Sequence, residues 1–194
     1  MTSDYYQINA PEYFGKTVSV DPAGFLLPLV ERLSAGALVL DIGCGSGRDL
    51  LWLKKRGFRV KGFERSAALA VMARRHADCE VLEGDFTTYE FSSMHADAVI
   101  LVGALVHVQH TDFACIFGKI AAALKDGGLV LITLKEGADR AVGADGRVFY
   151  LHRDSDLRRT FAALGFDVLD FSRDVSRLGT GEIWLGYLLK KVAA

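Results

Sequence analysis

The octapeptide Asp41-Ile42-Gly43-Cys44-Gly45-Ser46-Gly47-Arg48 constrains this chain more than any other feature. Four apolar residues, Ala37-Leu38-Val39-Leu40, lead into it, and Leu50, Leu51 and Leu53 begin a helix that stops at Gly57. A buried strand therefore enters a glycine-rich turn that opens a helix. Glycine is needed where backbone passes close to a ligand or takes positive φ, because a Cβ would collide. Strand, glycine turn and helix in that order belong to an α/β sheet, whose ligands sit beyond the carboxyl ends of its strands.

The rest of the chain repeats this alternation. Phe25, Leu26, Leu29, Val30 and Leu33 recur at helical spacing before Ser34-Ala35-Gly36. Residues 58–63 read as a second strand, 79–82 as a third and 98–102 as a fourth. Ser66 is placed to cap a helix over 67–76, since its hydroxyl accepts from free amides of the first turn. Thr111 or Asp112 is expected to cap a helix running to Leu124, and Asp126-Gly127-Gly128 turns the chain into a fifth strand, 129–134. Leu157, Phe161 and Leu164 mark a further helix, with strands over 166–171 and 183–189. Continuous apolar strands between amphipathic helices predict a mostly parallel sheet covered on both faces. The closing helix, strand and strand predict a hairpin at one edge of the sheet.

Length and charge narrow the function. A chain of 194 residues suits one domain, and a net charge of −1 lacks the positive field that nucleic acid or an anionic membrane requires. Cys44, Cys79 and Cys115 are odd in number and widely spaced, which fits neither a disulfide framework nor a zinc site, so no metal is expected. The start Met-Thr-Ser-Asp-Tyr-Tyr is unlike a signal peptide, and the apolar run 98–106 is far short of the ~20 residues of a membrane helix. A cytoplasmic location is expected. Residues 1–20 read as an aromatic arm or lid ahead of one domain over 21–194.

The chemistry lies at three strand ends. A dinucleotide fingerprint is Gly-x-Gly-x-x-Gly, cradling a pyrophosphate on helix amides. Here the pattern is Gly-x-Gly-x-Gly, with Arg48 where the third glycine would fall and a carboxylate, Asp41, just before the loop. Such a carboxylate suits a ligand carrying an ammonium and a sulfonium better than a pyrophosphate. Glu64 ends the second strand about twenty residues on, the interval at which ribose-binding acids occur, and can accept from both vicinal hydroxyls. Asp85, in Gly84-Asp85-Phe86, can accept from an adenine amino group, and Phe86 offers ring surface or a backbone amide.

Taken together, Asp41 to Gly47, Glu64 and Gly84-Asp85 resemble the class I S-adenosylmethionine-dependent methyltransferases, and the order of elements from about Asp21 onward is similar to theirs. The resemblance implies a Rossmann-like doubly wound sheet of seven strands with an antiparallel last strand. It assigns Gly43, Gly45 and Gly47 to the methionine part of the cofactor, Glu64 to ribose and Asp85 to adenine. Asp41 would place the loop and the cofactor's amino group, and Arg48 or Tyr6 would bind its carboxylate. Cys44, Arg65, Phe86 and Val102 complete the cofactor set, Cys44 with no chemistry of its own. Within the superfamily the chain resembles small-molecule enzymes of tellurite-resistance-like or ubiquinone-biosynthesis-like type. The Asn-Pro-Pro-Tyr signature of enzymes acting on amino groups of bases is absent.

On the acceptor side His107, just after the fourth strand, is either a base or a pocket wall, since imidazole takes a proton near neutral pH. Tyr5, Tyr6 and Tyr13 crowd the arm and are expected to cover cofactor and acceptor. Arg147, Phe149 and Tyr150 would line the acceptor pocket, although a turn at Asp145-Gly146 explains them equally well. The expected partner is a small-molecule methyl acceptor, the assembly a monomer or homodimer. Two readings compete: an NAD(P)-dependent oxidoreductase, against which Asp41 and Arg48 argue, and a non-catalytic cofactor-binding member.

Overall fold

The structure, a computed structural model, describes residues 2–176 and 179–192. One sheet carries seven strands in the order β3-β2-β1-β4-β5-β9-β8. The strands are β1 (Leu38–Ile42), β2 (Arg59–Glu64), β3 (Val81–Glu83), β4 (Ala96–Val102), β5 (Leu124–Lys135), β8 (Phe166–Val175) and β9 (Ile183–Lys191). β1 to β5 run parallel, whereas β9 lies antiparallel between β5 and β8. The predicted closing hairpin is therefore present, with β8 as the edge. A separate two-stranded hairpin joins β6 (Arg140–Val142) to β7 (Val148–Tyr150).

The central strands are mostly apolar because both of their faces are covered. Val39, Ala98, Ile100 and Leu131 pack with Leu26 and Leu29 of α3 (Ala23–Val30) and Leu53 of α4 (Arg48–Lys54). Their strand neighbours Leu40, Val99, Leu101 and Val130 point the other way, onto Phe113 and Phe117 of α6 (His110–Ala121) and Phe161 of α7 (Asp154–Ala163). Each such aromatic contributes about 1.5–3 kcal/mol by leaving water. α5 (Ala67–Ala77) closes on α4 through Leu50, Ala70 and Ala73. Ser66 caps α5 as expected, its Oγ accepting from the Leu69 amide at 3.2 Å.

Two expectations need correction. The Gln109 carbonyl accepts from the amides of Asp112 and Phe113, both at 3.0 Å, so α6 begins at His110 and neither Thr111 nor Asp112 is its cap. The helix also ends at Ala121 rather than Leu124. There Ala96 of β4 donates to the Ala123 carbonyl at 2.8 Å, and pairing of Ala96 with Leu124 draws the chain into the sheet early. The N-terminal arm is helical. It folds as α1 (Thr2–Ile8) and α2 (Ala10–Thr17), and Phe14 of α2 meets the His76 ring of α5 edge-on at 5.7 Å.

Candidate functional site

β1, β2, β3 and β4 end on one side of the sheet, and a cavity of about 340 Å³ opens above those ends. Gly43 and Gly45 form part of its wall. At Gly43, φ is +75° and a Cβ would stand 2.8 Å from that of Ala104, so only glycine lets the loop pass. Gly47, also left-handed, is not in the wall. It lies under α5, where a Cβ would meet the Ala73 backbone at 3.0 Å. The loop is tied to β2 by the amides of Gly43 and Cys44, which donate to the Phe63 carbonyl at 2.8 and 3.1 Å.

Glu64 is the keystone of the wall. Its Oε2 accepts from the Gly45 amide at 2.9 Å and its Oε1 from the Ser66 amide at 2.8 Å. One side chain thus joins the glycine loop to the start of α5. Burial raises its pKa, and the amides of Ser66, Gly45 and Arg65 oppose that rise. Three amides take up part of the roughly four acceptor positions of the carboxylate, which leaves at least one for a ribose hydroxyl. Asp85 stands farther along the wall with Phe86. Its Oδ1 accepts from the Thr87 amide at 2.9 Å and hydroxyl at 2.7 Å, and Arg65 lies 3.3 Å from its Oδ2. Partial burial would raise this carboxyl, but the Thr87 bonds and Arg65 hold it below its ordinary value. Val102 lines the same wall.

Besides Gly47, three residues expected at the cofactor lie outside the cavity wall. Asp41 is only 2% exposed, beneath the loop, and its Oδ2 has no hydrogen-bond partner. Burial, reinforced by Asp49, holds its pKa well above the usual carboxylate range. Arg48 turns back onto Asp49, with Nε–Oδ1 at 2.6 Å and Nη2–Oδ2 at 2.9 Å, and its guanidinium lies 5.3 Å from the Phe25 ring. Its charge is already matched. Cys44 is buried, and burial pushes its thiol pKa well up, which leaves no nucleophile there.

At the other end of the cavity Tyr6, Tyr13 and His107 share the wall. His107 closes a 3₁₀ turn, Leu105–His107, after β4. Its Nδ1 lies 2.6 Å from the Val148 carbonyl of β7, which can only accept, so that nitrogen carries the proton. Burial, with Arg147 and Lys135 nearby, pushes the ring's pKa down to about 4. The ring is neutral, and its bare Nε2 accepts from the Tyr6 hydroxyl at 2.7 Å. Arg147 in turn donates to that hydroxyl at 3.2 Å. Its guanidinium lies 4.5 Å from the Tyr5 ring and 5.2 Å from Phe149, and its charge pairs with Asp145 at 2.7 Å. Tyr5, Arg147 and Phe149 thus form a layer behind the wall. Tyr150 is elsewhere, 5.6 Å from the His110 ring.

The expected turn at Asp145-Gly146 is present, closed by the Gly146 amide on the Gly143 carbonyl at 2.9 Å. It builds the hairpin that delivers Arg147 and Val148 to the site. Sequence reasoning missed Lys135, buried at the end of β5 with Nζ 3.7 Å from the Phe149 ring centre and 2.6 Å from Glu182. It also missed Gln109 and Asp112, which line the cavity from the start of α6. Their separation of three residues on a helix, just past His107, was the available signal. A second cavity of about 400 Å³ lies between α6 and α7, lined by His110, Phe113, His152 and Asp156.

A model of the methyltransferase domain family matches residues 39–128, the stretch from β1 through the turn before the buried part of β5. The chain is 31% identical over 103 residues to a ubiquinone biosynthesis O-methyltransferase of Bradyrhizobium sp. (strain ORS 278), covering 51% of this chain and 40% of that protein. The chain spans less than half the length of the curated relatives it matches. In three dimensions it is similar to the 1,6-didemethyltoxoflavin-N1-methyltransferase of Burkholderia thailandensis solved with S-adenosylhomocysteine. The TM-score is 0.77 at 20% identity, over 98% of this chain and 87% of that one. It is also similar to the [4+2]-cyclase SpnF, with a TM-score of 0.76 at 17% identity, over 99% and 95% of the two chains. Fold likeness alone therefore does not select the reaction; the site residues must. Among the described residues no helix is long and apolar enough to cross a membrane.

Proposed function

We propose that the chain is an S-adenosylmethionine-dependent methyltransferase acting on a small-molecule acceptor by direct displacement. The observation that supports this most is the joining of Gly45, Glu64 and Ser66 around one cavity that also holds Asp85 and Phe86. Its polar groups match the ligand in order: a close-approach loop for the methionine part, a two-oxygen acceptor for ribose and an acceptor beside a ring for adenine.

When bound, S-adenosylmethionine supplies a methyl group on positively charged sulfur. The chain's own residues orient and shield. Glu64 and Asp85 fix the ends of the nucleoside, while Tyr6, Tyr13 and His107 keep water from the opposite end. His107 is held neutral with its proton on Nδ1, so it can receive a proton only at Nε2. A monomer or homodimer working in the cytoplasm fits the chain's balanced charge.

Calorimetric titration of S-adenosylhomocysteine into the wild type and Glu64→Ala tests the reading. Micromolar binding that the variant loses is expected. Thermal protection by NAD or NADP in place of S-adenosylhomocysteine would return the domain to the oxidoreductase class.

A further inference from the structure

Tyr6 is held as a bound phenol would be held. Its hydroxyl donates to the bare Nε2 of His107 at 2.7 Å and accepts from Arg147 at 3.2 Å. Its ring sits edge-on between Tyr5 at 5.4 Å and Tyr13 at 5.0 Å. Both partners of the hydroxyl are themselves fixed, His107 by the Val148 carbonyl and Arg147 by Asp145. Those anchors do not depend on Tyr6. If the tyrosine side chain swings away, they leave a ring-sized slot in the cofactor cavity with one acceptor and one cationic donor at its end.

Resting on the methyltransferase reading, we propose that this slot is the acceptor subsite, that the acceptor is an aromatic or enolic hydroxyl compound methylated on oxygen, and that Tyr6 occupies its place until it arrives. The donor–acceptor pair fits a neutral hydroxyl. A carboxylate has no proton for Nε2, and an ammonium has no lone pair for Arg147. Arg147 stabilises negative charge growing on the oxygen, and the neighbouring rings take a flat body in preference to an alkyl alcohol. The new oxygen–carbon bond forms as the methyl carbon leaves sulfur with the electron pair remaining on sulfur. The hydroxyl proton passes to Nε2 of His107 and from there to solvent. The surrogate's backbone need not move, because the Tyr6 carbonyl stays with the Ser66 hydroxyl at 3.1 Å.

The experiment uses p-cresol, the tyrosine side chain as a free molecule, with the full chain saturated in S-adenosylhomocysteine. Tyr6→Ala is expected to bind p-cresol roughly tenfold more tightly than toluene, the worth of one charge-assisted hydrogen bond, and more tightly than the wild type does. Arg147→Met added to Tyr6→Ala should remove that preference. With S-adenosylmethionine, the variant should form 4-methylanisole faster than it methylates p-toluidine on nitrogen. Tyr6→Phe, which keeps the ring packing, should show the same order with a smaller gain and serves if the alanine variant fails to fold. Equal binding of p-cresol and toluene, or faster transfer to the amine, overturns the phenol subsite while cofactor binding stands. A folded wild type that does not bind S-adenosylhomocysteine overturns the methyltransferase reading and this inference with it.

Discussion

The two ends of the cavity are built in different ways. At the cofactor end, Gly45, Glu64, Ser66, Asp85 and Thr87 are linked through backbone amides of residues two to about twenty positions apart, each at a strand end. At the acceptor end, Tyr6, His107, Arg147 and Val148 arrive from an N-terminal helix, a 3₁₀ turn and a hairpin, and most of their contacts join side chains. Local amide frameworks are rigid and hold one ligand class. Long-range side-chain contacts can be exchanged without disturbing the sheet, which is what a variable acceptor requires. The ionisable groups differ in sign as well: burial raises Asp41 and Glu64 at one end and lowers His107 at the other.

The contrast breaks most directly at Gly43. Gly43→Ala places a Cβ 2.8 Å from that of Ala104 on a backbone with φ of +75°. S-adenosylhomocysteine affinity should fall about 100-fold, ~3 kcal/mol, by strain and displacement of the loop. Adding Ala104→Gly should recover part of this, because it removes the collision and leaves the left-handed penalty. Full binding by Gly43→Ala in calorimetry would mean the loop bends freely and the rigid-end description is wrong.

Acid should separate the ends next. An unfolded histidine titrates near 6.5, whereas folded His107 takes its proton only at about 4. Between those values the unfolded state binds the extra proton, so stability is fully present above pH 6.5 and lost as pH falls toward 4. Asp41 and Glu64, with raised values, titrate in the opposing sense, so the informative quantity is the difference between the wild type and His107→Gln. Denaturant midpoints should show the wild type losing about 3 kcal/mol more than the variant over that range. His152, also pushed down to about 4 by burial, leaves an acid loss in both proteins. Parallel curves for the two would mean that His107 titrates in the fold as it does in the unfolded chain.

The acceptor end should also be measurable as a unit. A double-mutant cycle of Tyr6→Phe and Arg147→Met in thermal unfolding should give about 1 kcal/mol of coupling, with S-adenosylhomocysteine affinity changed less than about threefold. Zero coupling would reduce the Tyr6–Arg147 bond to a contact of no consequence.

This division also explains what could be read from the sequence. The glycine loop, Glu64 and Asp85 were legible because each follows its own apolar strand, and a parallel sheet aligns strand ends whatever the rest of the chain does. His107 was legible for the same reason. The partners of Tyr6 were not: its hydroxyl was expected at the cofactor carboxylate and instead meets residues 101 and 141 positions away. No local periodicity reports such a separation. Arg48 and Asp41 were misplaced because Asp49, next in the chain and buried with them, takes up the guanidinium. Lys135 escaped because a lysine at a strand end ordinarily reads as solvated, whereas here Glu182, Phe149 and Trp184 enclose it.

The smallest effect lies at the seam between the ends. The Ser66 amide donates to Glu64, which belongs to the cofactor end. Its Oγ accepts from Leu69, capping α5, and stands 3.1 Å from the Tyr6 carbonyl and 3.0 Å from Gln7 Oε1, which belong to the arm. Ser66→Ala keeps the amide and removes the hydroxyl. Stability should drop by about 1 kcal/mol, the ordinary cost of a lost N-cap, with S-adenosylhomocysteine affinity nearly unchanged because the amide still holds Glu64. The arm should respond differently, since the helix carrying Tyr6 loses its ties to the Ser66 hydroxyl and keeps only that of Gln7 Oε1 to the Ala68 amide at 3.3 Å. Hydrogen exchange at the amides of α1 should quicken in Ser66→Ala while those of β1 and β4 stay protected. Uniform quickening would show that arm and sheet open together, and the exchangeable acceptor end would then be as rigid as the cofactor end it is contrasted with.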